Sequence, residues 1–270
     1  MGRKFSPEVE NEIINLYETG NYTQKQLSEK FNCYILTIGN IIRRKDNSFI
    51  KPNKKYEVNE DFFENINDEQ KSYWLGFLYA DGYVRMKDGK SGHLKLKLKC
   101  GDKNHIELFR DTIESNHKIV YNKEIVKKGE QEYICESNTL NVYSTKLTKD
   151  LFDKGCVTNK TFIIKFPFWL DKTLVRHFIR GYFDGDGSIN KVKNRDNSFV
   201  VRIAGNDEFI SNLHDVIREY GIIPSNIHKS GKISILHVSR INEIKKLRCF
   251  LYDNISVSLD RKKIIFDKIK

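Results

Sequence analysis

The sequence predicts an α+β protein built from two like halves, preceded by a small all-helical domain. Three observations predict it. Segment 72–82 (SYWLGFLYADG) and segment 177–187 (HFIRGYFDGDG) stand 105 residues apart. At that same offset HLKLKLKCGD (93–102) falls on SFVVRIAGND (198–207), and both are alternating strands that end in Asp before a helix. Further on, NVYSTKLTKDL (141–151) resembles LHVSRINEIKKL (236–247), and VTNK (157–160) resembles LDRK (259–262). Four matches in one order mark an internal repeat, each copy reading helix, strands, helix, strands, helix.

The 270 residues suffice for one large domain or a few small ones. A composition of 39% hydrophobic and 12% aromatic residues is ample for a core. The formal net charge of +11 favours a polyanionic partner, nucleic acid being the commonest. The five cysteines are odd in number and form no CxxC pair, which argues against a zinc site or a disulfide framework. No stretch nears the length of a membrane span, and the first residues lack the apolar core of a signal peptide. A cytoplasmic protein with no membrane partner is expected.

Residues 1–45 read as three short helices. Ser6-Pro7 opens the first, Ile13, Ile14, Leu16 and Tyr17 give its apolar face, and Thr19-Gly20 stops it. Thr23 with Gln26 forms a capping box for the second. The third runs from Ile35 to about Arg44 and buries Ile38, Ile41 and Ile42. Residues 46–60 are polar, basic and aperiodic, so they read as a linker. The first half then spans 61–170 and the second 171–270.

The helices that open the two halves carry small residues four apart, Gly76 with Ala80 and Gly181 with Gly185, hence on one face. A helical glycine costs about 0.5–1 kcal/mol relative to alanine, and close helix–helix packing is the natural compensation. An ordinary small-residue contact would explain the glycines. It would not explain why both helices end in Asp-Gly, as Asp81-Gly82 and Asp186-Gly187. The Gly is a usual helix stop, but a carboxylate at a helix C-terminus opposes the dipole. Packed side by side, the helices would bring both carboxylates together. That is costly unless a cation lies between them, and Mg²⁺, which prefers oxygen ligands, suits the purpose.

WLGFLYADG and IRGYFDGDG resemble the paired signature helices of the single-chain LAGLIDADG homing endonucleases, over about residues 61–270. The resemblance implies two αββαββα halves about a pseudo-twofold axis, their sheets forming a saddle over double-stranded DNA. It implies a staggered double-strand break at a long, asymmetric site, in a protein that spreads its own mobile element. Asp81 and Asp186 would hold metal, one serving each strand, with help from the carbonyls of Ala80 and Gly185. Mn²⁺ would substitute for Mg²⁺, and Ca²⁺ would support binding without cleavage. Lys160 and Lys262, at the start of each half's last helix, would stand near the cleaved phosphates; lysines in general are simply solvated. Asp102 and Asp207 match a family position near the water network, and plain helix N-caps fit them equally. Asp184, with Tyr79 as its counterpart, takes a secondary place.

The strand 93–100 alternates strictly, with Lys95, Lys97 and Lys99 on one face. In a saddle that face meets the major groove. Lys97 corresponds to Arg202. Arg85 and Lys87 follow the first signature; Lys191, Lys193 and Arg195 follow the second. Lysines mostly contact phosphates, while Arg can read guanine. The N-terminal segment resembles a helix-turn-helix whose third helix would present Thr37, Asn40, Arg43 and Arg44 to DNA. Tyr34, Ile35 and Leu36 are bulky for that place, and a simple packing module is the alternative. Lys51, Lys54 and Lys55 of the linker would follow phosphates or merely tether. Two halves in one chain imply a monomer without an obligate protein partner. A non-cleaving transcriptional regulator and an RNA-splicing maturase are the alternative readings on this fold.

Overall fold

A computed structural model describes residues 5–45, 56–87, 91–129, 131–158, 160–192 and 198–269. The chain divides into two compact units, Met1–Glu57 and Val58–Lys270. The calls on Lys51, Lys54, Lys55, Lys193 and Arg195 lie outside the described residues.

The first unit contains α1 (Pro7–Glu18), α2 (Gln24–Lys30) and α3 (Ile35–Lys45). Pro7 takes the first helical position of α1, where its missing N–H costs nothing. Thr23 and Gln26 form the reciprocal capping box of α2. Ile13, Ile14, Leu27, Ile38, Ile41 and Ile42 make one small core. Tyr34, Ile35 and Leu36, at the start of α3, remain exposed.

The second unit is the duplication. Its first half runs α4 (Glu69–Asp81), β1 (Gly82–Lys87), β2 (Ser91–Lys99), α5 (Lys103–Thr112), β3 (Ile119–Lys128), β4 (Gln131–Val142) and α6 (Thr145–Asp153). The second runs α7 (Lys172–Asp186), β5 (Gly187–Lys191), β6 (Phe199–Gly205), α8 (Asp207–Glu219), β7 (Asn226–Ser230), β8 (Ile233–Val238), α9 (Ile241–Tyr252) and α10 (Asp260–Asp267). The two antiparallel sheets have the same order, β1-β2-β4-β3 and β5-β6-β8-β7. One face of each is covered by its own helices. Leu94, Leu96 and Leu98 of β2 point inward there, as do Val201 and Ile203 of β6. Alternation with period two puts the lysines of β2 on the opposite, uncovered face.

Two expectations need correction. Among the described residues the first half has no helix matching α10: Lys160 begins a single 3-10 turn, Lys160–Phe162, whereas the second half places its lysine on a final helix. Nor do Gly82 and Gly187 stop their helices with left-handed backbone. Both are extended (φ −72°, ψ 144° and φ −79°, ψ 159°) and are already the first residues of β1 and β5. What demands glycine is space. A Cβ on Gly82 would lie 2.7 Å from the Leu78 carbonyl oxygen, and one on Gly187 2.2 Å from the Phe183 ring.

Candidate active site

The site grows from the α4–α7 contact, the most intimate in the molecule. A Cβ on Gly76 would lie 2.0 Å from the carbonyl oxygen of Phe178, and one on Gly181 1.9 Å from that of Tyr73. The two backbones therefore touch directly. The contact continues to the helix ends, where a Cβ on Gly185 would lie 2.2 Å from the Ala80 Cβ. Further from the site the helices are tied by charge. Arg180 of α7 is fully buried and donates to Glu69 of α4 at 2.7 Å, and to the carbonyls of Val257 (3.0 Å) and Leu251 (3.2 Å).

Asp81 and Asp186 close the two helices and look outward. Among the described residues neither carboxylate accepts a hydrogen bond or an ion pair. Their oxygens reach solvent while protein crowds them from behind. That partial burial pushes the Asp186 carboxyl up to about 6, and the negative charge of Asp81 adds to the rise. Burial raises Asp81 as well, against the pull of Lys160, Lys262 and Arg261. Two unpartnered acids with raised proton affinity could hold a cation between them.

The lysines explain how acids are tolerated at these helix ends. Lys160 donates to the Leu78 carbonyl at 2.7 Å. Lys262, buried, donates to the carbonyls of Phe183 (2.7 Å), Asp184 (2.7 Å) and Gly185 (3.0 Å). Leu78 and Phe183 occupy equivalent places, 105 residues apart. Each ammonium thus caps the last turn of a signature helix and offsets the negative end of its dipole. Burial lowers both lysines, Lys262 to about 8. Because Lys262 already holds the Gly185 carbonyl, the two carbonyls assigned to metal, those of Ala80 and Gly185, are not equivalent.

Asp184 belongs to the framework. It is fully buried, and its carboxylate accepts from Tyr73 (2.8 Å), Tyr252 (2.6 Å) and the Leu259 amide (2.8 Å), which joins α4, α7, α9 and the start of α10. Its counterpart Tyr79 ties α4 to the end of α6 through the Lys154 carbonyl. Asp102 does hold the N-cap position of α5, whereas Asp207 does not hold that of α8. Asp102 makes no cap bond and instead accepts Arg261 Nε on both oxygens, at 2.9 and 3.0 Å. Asp207 is the first residue inside α8, whose N-cap is Asn206, and it binds Lys229 and Ser234, each at 2.7 Å. Sequence reading missed Arg261 although it immediately precedes Lys262; its partner lies 159 residues away.

The uncovered face of the first sheet carries Arg85, Lys87, Lys97 and Lys99, all exposed, with Lys95 half-buried. Lys97 is paired with Glu124 at 3.0 Å. In the second half Lys191 is exposed and Arg202 half-buried, paired in register with His237. In the first unit Asn40, Arg43 and Arg44 are exposed and Thr37 half-buried. Arg44 meets Glu10 at 3.3 Å, and Arg43 Nε folds back on the Gly39 carbonyl.

Two open antiparallel sheets are joined through paired helices that end in carboxylates. Residues 173–251 match the family model described as a LAGLIDADG-like domain, and the first half repeats the topology of the second strand for strand. The fold is that of the homing endonuclease I-WcaI, solved bound to its DNA recognition sequence: TM-score 0.55 at 13% identity, over 76% of this chain and 91% of that one. In sequence the chain is 28% identical over 202 residues to a probable translation initiation factor IF-2 of Methanocaldococcus jannaschii, covering 73% of this chain and 16% of that protein. It is 27% identical over 136 residues to the RNA polymerase subunit Rpo1C of the same organism, covering 50% of this chain and 15% of that protein. The chain therefore spans about a sixth of the length of these curated relatives.

Proposed function

We propose that this chain is a site-specific double-strand DNA endonuclease that hydrolyses phosphodiesters with a divalent metal ion, acting as a monomer inside the cell on a long asymmetric target. The observation that carries the reading is the pairing of Asp81 and Asp186, unpartnered, at the ends of two backbone-packed helices capped by Lys160 and Lys262. Among the described residues no three His, Cys, Asp or Glu side chains gather to hold a metal. A cation at Asp81 and Asp186 would complete its shell with main-chain carbonyl and water, as Mg²⁺ does and a softer metal would not. The Ala80 carbonyl is the better placed of the two to help. When bound, such a metal lowers the pKa of a ligated water and shields the attacked phosphate.

The remaining steps belong to the chain's own groups. The basic faces of the two sheets bind and orient the duplex, with Arg85, Lys87, Lys95, Lys97, Lys99, Lys191 and Arg202 as contacts, chiefly to phosphates. Lys160 and Lys262 hold the two acids in register and place positive charge where the phosphate develops negative charge. The side chains of the two faces differ, so the site read would be asymmetric. A segment that makes up a sixth of a translation-factor relative and of a polymerase-subunit relative is not tied to either host, which fits a mobile element.

The test is a DNA duplex that rejoins the sequences flanking the coding region. It is incubated with wild type and with the Asp81→Asn/Asp186→Asn double variant, in Mg²⁺, Mn²⁺ or Ca²⁺. Cutting by wild type in Mg²⁺ and Mn²⁺, binding alone in Ca²⁺, and no cutting by the variant are expected. Equal behaviour of the two proteins would overturn the reading in favour of a non-cleaving regulator.

A further inference from the structure

The two centres are not equivalent, and the difference lies in Arg261. The sequence match VTNK to LDRK sets Asn159 against Arg261, so only the second half carries a cation there. Arg261 stands on α10 beside Lys262, whose ammonium holds the last turn of α7. Its partner is Asp102, in the other half, 8% exposed and committed to Arg261 Nε through both oxygens at 2.9 and 3.0 Å. The counterpart Asp207 is turned to its own sheet, on Lys229 and Ser234.

Guanidinium carries five donors in a rigid fork. Asp102 takes the Nε–H and leaves the four N–H groups of the two terminal nitrogens, which make no hydrogen bond among the described residues. The side chain is 52% exposed. An arginine fixed from behind by a nearly buried carboxylate, with its fork open to solvent, is prepared for an oxyanion with two acceptors. A phosphodiester is such a group. Asp102 comes just after β2, the strand paired with the β1 that Asp81 leads into, so the anchored fork stands in the half that holds Asp81.

We propose that Arg261 is a phosphate-binding residue of the Asp81 centre, supplied across the molecule by the second half and aimed by Asp102. The proposal rests on the endonuclease reading. It makes the strand served by Asp81 the one with extra help, so the two strands are cut in a preferred order.

The test uses a duplex labelled differently on each strand. The strand served by Asp81 is identified first, as the one Asp81→Asn leaves intact. If wild type never cuts, the endonuclease reading falls, and this inference with it. If wild type cuts, Arg261→Met is expected to slow the Asp81 strand by roughly tenfold or more, to spare the other within a few-fold, and to accumulate nicked product. Arg261→Lys should recover part of the loss. Without any divalent metal, Arg261→Met should reduce the slope of log binding against log salt by about one. The charge-swapped pair Asp102→Arg/Arg261→Asp separates a phosphate role from a mere tie between halves. A tie would be restored by the swap; phosphate binding would not. Restoration by the swap, or equal slowing of both strands, or an unchanged salt slope would overturn the proposal.

Discussion

A Cβ on Gly185 would stand 3.6 Å from the carboxyl carbon of Asp81, on the opposite helix. Asp81 is thus positioned partly by the other half's glycine. The same methyl would also lie 2.2 Å from the Ala80 Cβ, closer than real carbons approach, so the helix ends would have to part. Gly185→Ala is expected to abolish double-strand cutting with only a modest fall in melting temperature.

Gly76→Ala and Gly181→Ala should behave differently. Their methyls meet main-chain carbonyls at 2.0 and 1.9 Å, which cannot swing aside. Overpacking of this kind costs about 1–3 kcal/mol. For a unit of this size that is a drop of roughly 2–12 °C in melting temperature, measured by calorimetry. An unchanged melting temperature in either variant would show that the helices are not in backbone contact.

The raised acids set the sign of the pH dependence. In the folded chain Asp186 keeps its proton up to about 6, above its ordinary carboxylate value. Stability from that protonated form is present below the unfolded value and is lost as pH rises through about 6. Without divalent metal, Asp186→Asn should therefore melt higher than wild type at pH 7.5 and like it at pH 4. A gain of equal size at both pH values would contradict the assignment. Cleavage, which needs the ionised acids, should fall away below pH 6.

Lysines of the first sheet differ in what they can release to DNA. Lys97 already holds Glu124 at 3.0 Å and must give up that contact to take a phosphate, whereas Lys99 is exposed and makes no ion pair among the described residues. Lys99→Gln should reduce the salt slope of binding by about one, and Lys97→Gln by less. Glu124→Gln should tighten binding.

Arg180 is a burden once its partners are left alone. Arg180→Ala removes the guanidinium from Glu69, which keeps the Ser256 amide, and leaves two carbonyls unbonded; breaking a buried pair of this kind costs about 3–5 kcal/mol. Urea unfolding at constant slope would measure it. Glu69 is partly exposed, so the lower end of that range is expected.

The repeat was legible because strands and helices impose their periods on hydrophobicity. Leu94, Leu96 and Leu98 alternate in sequence and are buried in fact. The acids and lysines were legible because each recurs in the second half, the acids 105 residues on and the lysines 102. Asp184 was not, since its three donors come from residues 68 to 111 positions away and no local pattern shows them. Asp207 misled by a single residue: Asn206 is an equally good cap and holds the position. Gly82 and Gly187 misled because glycine ends helices in two ways, by a left-handed turn or by giving room to a strand that follows at once. The sequence of the next residues is alike in both cases. Arg261 escaped because its only counterpart is Asn159, and a feature that occurs once leaves no mark in a repeat.

Since no loop separates Asp81 from β1 or Asp186 from β5, each acid is continuous with the sheet whose open face would grip the duplex. A tilt of either sheet is also a tilt of its acid. Tightening or bending a bound duplex would act on the cutting geometry as a crank acts on a shaft. Remodelling one face for a new target would then disturb the chemistry of that half first, and a redesign would have to correct backbone angle as well as side chains.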